Sequence, residues 1–245
     1  MAKHRINVSG PIIPSDYKWF YDWFGMESTC SKDVSKVLDR AVPGDEIDVY
    51  INSPGGVIDV GSEIYTLLRD AGKTCKVTNH VMGQAHSAAS VIACAAYCEM
   101  APTALMMVHC VSSGVSGNHN DMEHMAEVLR TADRALCAAY TAKTGMTEEE
   151  ALDMMEHETW LTAQQAKDRG LVDAVMFEEA DAQPMAAAEG LFRLPTKEQM
   201  DQARAMMETA AVPAQEEQTA QGYEDAIRRT QEINRLRMSV GRSIQ

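Results

Sequence analysis

Basic residues are scarce in this chain. Twenty-two Lys and Arg stand against 36 Asp and Glu, a net charge of −14 with histidine neutral. Phosphate recognition requires a basic face, so nucleic acid is not the expected partner. Long apolar runs are missing too: no stretch approaches the roughly 18 consecutive apolar residues of a membrane helix. The first residues, MAKHRINVSG, contain no apolar h-region, so export is not expected. None of the six cysteines forms a CxxC pair. Cys94 and Cys98 stand one helical turn apart, which fits helix packing better than metal ligation. The thiols read as reduced, in a cytoplasmic protein without a metal or organic cofactor. What is present is apolar material for a substantial core, 45% of the 245 residues.

The composition shifts near residue 180. Residues 1–180 alternate between strand-like and helix-like patterns. Residues 181–245 are rich in Ala, Gln, Glu, Met and Arg and are broken by Pro184, Pro195 and Pro213. With 8 basic and 10 acidic residues that segment is nearly neutral, so most of the negative charge lies before it. It reads as a flexible, partly helical tail. One helix is expected over 196–211, with Thr196 and Gln199 spaced as a capping box, and another over 224–240. A role in assembly is the sharper alternative.

In the first part, Glu46–Ile51 alternates in the manner of a strand and runs into Asn52-Ser53-Pro54-Gly55-Gly56, a strong turn signal. Val60, Ile64, Leu67 and Leu68 have helical spacing. Lys76–Met82 reads as the next strand, residues 87–98 as a helix, and Thr103–Val108 as a third strand. Strand–helix–strand units of this length imply an α/β fold with a mainly parallel sheet and flanking helices. Sites in such sheets lie at the carboxyl ends of strands. Gly56, Ser87 and His109 all fall just beyond such ends.

Ser87 sits in GQAHSAAS, between a strand pattern and a small-residue helix pattern. A hydroxyl at that turn is exposed beside the free N–H groups of a helix start. Ala85, Ala88 and Ala89 would let a substrate backbone approach. The N–H groups of Ala88 and of the diglycine Gly55-Gly56 are the natural donors to a developing oxyanion. Spacing alone fits a helix-capping serine equally well. His86 is adjacent, but neighbouring side chains at a tight turn diverge. His109 is the better base, and a core histidine is the alternative for it.

NSPGG, GQAHSAAS, MMVHC and ETWLTAQQAKDRGLVDAV, in that order over roughly residues 6–178, resemble the Clp protease proteolytic subunit superfamily. The resemblance implies a Clp protease/crotonase-like fold with a protruding handle helix. It also implies a triad of Ser87, His109 and Glu158, with Gly56 and Ala88 as oxyanion donors. The third position is usually Asp in that family, so Asp153 and Glu156 stay open beside Glu158. SSGVSG, including Ser112, Ser113, Gly114 and Val115, matches a segment that binds substrate as an added strand. Met122, Met125, Leu129, Ala132, Leu136 and Ala139 are spaced 3 and 4 apart behind Asp121, an expected N-cap. They match the handle through which rings of subunits meet. Trp160 and Leu161 are expected to pack the sheet. Trp19, Phe20, Trp23 and Phe24 form a helical patch against a neighbouring subunit or the core.

Several features depart from the housekeeping enzyme. His86 replaces a small residue, Cys110-Val111 replaces a Gln-Pro pair, the N-terminal gating segment is reduced to MAKHR, and the tail is foreign. These resemble phage-encoded head maturation (prohead) proteases. The expectation is a self-compartmentalised homo-oligomeric ring or double ring. It would act as a serine endopeptidase on protein substrates, with capsid or scaffold precursors as partners, in the host cytoplasm if phage-encoded. Three alternatives stand: a housekeeping-type Clp peptidase served by an ATP-dependent unfoldase, a crotonase-type acyl-CoA hydratase or isomerase, and a non-catalytic capsid-assembly scaffold.

Overall fold

The computed structural model describes residues 1–178. The expected tail, 181–245, with its helices over 196–211 and 224–240, lies outside the described residues. Seven strands and seven helices occur among those described: β1 (Lys3–Ser9), α1 (Lys18–Trp23), α2 (Ser31–Leu38), β2 (Glu46–Ser53), α3 (Ile58–Ala71), β3 (Lys76–His86), α4 (Ala88–Ala93), β4 (Tyr97–Met100), β5 (Leu105–Val108), α5 (His119–Thr144), α6 (Glu148–Glu156), β6 (Thr159–Thr162), α7 (Ala163–Asp168) and β7 (Ala174–Val175).

The sheet runs β1-β2-β3-β4-β7, all parallel, and branches at β3. The first half of β3 pairs β4 through Thr78–Val81, and its last three residues, Gln84–His86, pair β5 in parallel. Antiparallel β6 closes the branch, Val108 facing Thr159. Period-2 alternation decides the faces: Ile47, Val49 and Ile51 of β2 and Val77, Val81 and Ala85 of β3 point inward and are buried. Val60, Ile64 and Leu68 cover them from α3. Each fully buried Ile or Leu of this layer contributes roughly 1.5–3 kcal/mol.

Two expectations about element ends are corrected. The helix expected over 87–98 stops at Ala93. The buried amide of Asn79 donates to the carbonyls of Ile92 and Ala93, both at 3.0 Å, and satisfies the helix end. Cys98 therefore lies in β4 opposite Asn79, not one helical turn from Cys94. Asp121 is not the N-cap of α5. Asn118 is, its side chain accepting from the N–H of Asn120 at 2.9 Å, while Asp121 Oδ2 accepts from the Asn118 N–H at 2.8 Å. This reciprocal capping box starts the helix three residues earlier than expected.

α5 has 26 residues, but its buried ones begin only at Asp133. The turns before it touch little among the described residues, and Met122 and Val128 stand exposed. Trp19 and Trp23 of α1 are likewise exposed, whereas Phe20 and Phe24 are half-buried. All six cysteines are unbridged. Among the described residues no helix is long and apolar enough to cross a membrane.

Candidate active site

The carboxyl end of β3 delivers Ser87. Its N–H donates to the carbonyl of Met107 at 2.8 Å, which fastens the turn to β5. Its backbone takes φ 54° and ψ −125°. A side-chain-bearing residue pays roughly 1–3 kcal/mol for such a conformation and keeps it only where its surroundings impose it. Two features impose it here. Ala88 enters α4 immediately and is buried. Gly55, at φ 95°, presses so closely that a Cβ there would stand 2.7 Å from Ser87 Cβ.

The branch at β3 then matters. Because β5 pairs only the last residues of β3, the ends of the two strands lie side by side. His109 follows β5 directly, and its Nε2 accepts from Ser87 Oγ at 2.7 Å. His86 does not reach the serine. Its Nε2 is buried and has no hydrogen-bond partner among the described residues, and its ring meets Trp160 edge-on with centroids 4.8 Å apart. Burial pushes the His86 pKa down. The ring thus serves as an aromatic brace against Trp160.

Ala88 follows the serine directly, and Gly55 packs against the Ser87–Ala88 turn, with Gly56 next along the chain. Gly56 bridges to Ile12, whose N–H donates to the Gly55 carbonyl and whose carbonyl accepts from the Val57 N–H, both at 2.9 Å. These bonds leave the Gly56 N–H outside the ladder. A Cβ at Gly56 would lie 2.1 Å from the Ile12 carbonyl oxygen, so only glycine fits. The Ala88 N–H opens α4 and has no intrahelical acceptor.

Glu158 follows α6 in a left-handed conformation, φ 44°. Continuing the β5–β6 ladder by one step places it opposite His109. Its Oε1 accepts from Trp160 Nε1 at 3.1 Å. No hydrogen bond or ion pair joins it to His109 among the described residues. Asp153 and Glu156 lie on α6, and Asp153 pairs with His157 at 3.3 Å. Ser112, Ser113, Gly114 and Val115 are exposed and without regular structure, between β5 and α5.

Sequence reasoning missed three supports. Asp133, buried on α5, accepts from the Val111 N–H at 2.6 Å and ties the chain after His109 to that helix. Ser90 and Tyr140 join α4 to α5 beneath the serine. Trp160 packs the sheet only in part: its ring lies against His86 of β3 and is 49% exposed, while Leu161 is buried. Strict alternation in TWLT carries that last signal; the first two depend on long-range packing. Among the described residues no group of three or more His, Cys, Asp or Glu is placed to hold a metal ion.

Comparison with known proteins agrees with this geometry. Residues 27–179 match the Clp protease family. The chain is similar to the ATP-dependent Clp protease proteolytic subunit 1 of Chlamydia abortus, 35% identical over 146 residues that cover 57% of this chain and 74% of that protein. A match over more than half of the chain, joined to a serine and a histidine in hydrogen-bond contact at the strand ends, places this protein in the Clp protease family of serine-type peptidases.

Proposed function

We propose that the protein is a serine endopeptidase in which Ser87 attacks the peptide carbonyl and His109 takes its proton. The observation that carries this reading is the 2.7 Å bond between Ser87 Oγ and His109 Nε2 at a strained strand-to-helix turn. The N–H groups of Gly56 and Ala88 hold the oxyanion of the tetrahedral intermediate. His109 then protonates the leaving amine, and water, activated by the same histidine, releases the acyl group. Glu158, opposite His109, accepts from its Nδ1–H and stabilises the imidazolium. Ser112–Val115, exposed between β5 and α5, would receive a substrate segment as an added strand.

Work in a homo-oligomeric ring is part of this reading, supported by the poorly covered first half of α5. Family membership sets aside the crotonase-type hydratase or isomerase. The intact Ser87–His109 pair speaks against a non-catalytic scaffold. Capsid or scaffold precursors are the proposed substrates, and the foreign tail supports them. The relative's printed name, an ATP-dependent Clp protease subunit, favours a second reading in which an unfoldase delivers the substrate.

Fluorophosphonate labelling tests the chemistry: the wild-type chain should label at Ser87 and hydrolyse short peptides, and the Ser87→Ala chain should do neither. Incubation with a capsid precursor, and separately with a Clp-type ATPase and a folded protein, separates the two substrate readings. Cleavage of the precursor without ATP favours the first, and ATP-dependent degradation alone favours the second.

A further inference from the structure

Glu158 immediately precedes β6 and Trp160 lies within it, and the bond between the indole N–H and the carboxylate brings their side chains together on one side of the sheet. Met107, paired with Trp160, and His86, paired with Met107, extend that face across β5 to β3. His109, two residues beyond Met107, belongs to it as well. The opposite face holds the buried Met106, Val108 and Leu161. The acid opposite the catalytic histidine is thus the end of a row whose other members are Trp160 and His86.

Glu158 is exposed, and a glutamate carries three rotatable side-chain bonds. Left alone, such a carboxylate samples many positions, few of them facing His109. One contact restrains it: the Trp160 indole N–H donates to Oε1 at 3.1 Å. The indole is itself held, edge to face, by the His86 ring at 4.8 Å. The backbone beneath is held too, the Glu158 N–H donating to the Met155 carbonyl at 3.2 Å. A carboxylate can accept bonds at both oxygens at once. A bond to Oε1 therefore leaves Oε2 for the Nδ1–H of His109.

We infer that Trp160 is a positioning residue for the reaction: its indole N–H anchors one oxygen of Glu158, so that the other is presented to His109, with His86 bracing the indole. The inference rests on the reading of Glu158 as the triad acid. It gives His86 a role that needs no proton transfer, in keeping with its unpartnered Nε2. It also explains why a longer acid can serve at this position, since the indole removes freedom that the extra methylene adds.

The test is a double-mutant cycle in the full-length protein, read by steady-state hydrolysis of a short peptide. Trp160→Phe keeps a ring against His86 and removes the donor. It should lower kcat by roughly ten-fold, the scale of one hydrogen bond to a charged group, and leave KM unchanged. In a Glu158→Ala background the same change should have no further effect, because the anchored group is gone. An equal loss in both backgrounds would show that the ring only packs the site and would overturn the anchor. So would a silent or more active Trp160→Phe while Glu158→Ala is impaired, since the indole would then be idle or would hold the acid away from His109. A fully active Glu158→Ala would overturn the reading of Glu158 itself and the anchor with it. Circular dichroism of each variant separates unfolding from lost turnover.

Discussion

The buried hydroxyls of Ser90 and Tyr140 meet at 2.9 Å, and Ser90 Oγ also donates to the Ser87 carbonyl at 2.6 Å. Ser90 has one proton, so Tyr140 is the donor of the first bond. Burial pushes the Tyr140 pKa well up and keeps that donor protonated. The strained serine is thereby fastened, through α4, to the long helix α5. Tyr140→Phe leaves the ring and removes the bond. It should lower unfolding stability by about 1–2 kcal/mol, measured by urea denaturation. An unchanged midpoint would mean that the hydroxyl pair adds nothing.

Ser87→Ala and His109→Ala should each reduce peptide hydrolysis by about 10⁴-fold or more, because the two act as a unit. His86→Ala should keep most of the activity, since no bond joins His86 to Ser87. Turnover that survives His109→Ala but not His86→Ala would reverse the assignment of the base.

His86 also leaves a pH signature. Its pKa is lowered in the folded chain by burial, so the unfolded chain binds the proton more readily. The penalty is absent well above the unfolded value, near 6.5. It grows as the pH falls through that value, because there the unfolded state binds more protons. His86→Phe removes the titrating group and keeps a ring against Trp160. Denaturation midpoints of wild type and H86F should therefore diverge between about pH 8 and about pH 5.5, the wild type losing more. Parallel pH profiles would show that the folded chain accommodates the charged ring.

Among the three acids near the end of α6, only Glu158 falls in register with His109. Glu158→Gln should keep the fold and lower turnover by roughly 10²–10⁴-fold. Asp153→Asn and Glu156→Gln should be near wild type. A dead Asp153→Asn beside a fully active Glu158→Gln would move the acid onto α6.

The exposed start of α5 and the aromatic patch of α1 both precede residue 180. A chain of residues 1–180 should form a ring-sized oligomer by light scattering and label at Ser87. Met122→Asp with Val128→Asp should dissociate it, each placing a charge in an apolar contact. Leu136 is unsuitable for this test because it packs against the chain's own core. A monomeric 1–180 chain that regains its size only with the tail would transfer the assembly role to residues 181–245.

Local pattern was enough to reveal much of this protein. Alternation in EIDVYI, the diglycine turn and the small residues around Ser87 require nothing beyond chain geometry, and they announced β2, the serine turn and the parallel α/β class. Strand ends are readable because turn residues punctuate them, so Gly56, Ser87 and His109 could be set at one edge of the sheet before any distance was known. Tertiary structure decided what pattern cannot carry. Residues 87–98 read as one helix because the run is uniformly small and apolar. Only Asn79, brought beneath it by β3, ends the helix at Ala93 and leaves Cys98 to a strand. The branching of β3 between β4 and β5 is a matter of pairing between distant segments, and it brings His109 rather than His86 to the serine. The position of Glu158 is of the same kind. Its residue type and spacing are written in the chain, but its alignment with His109 and its bond to Trp160 exist only once β6 has paired antiparallel with β5.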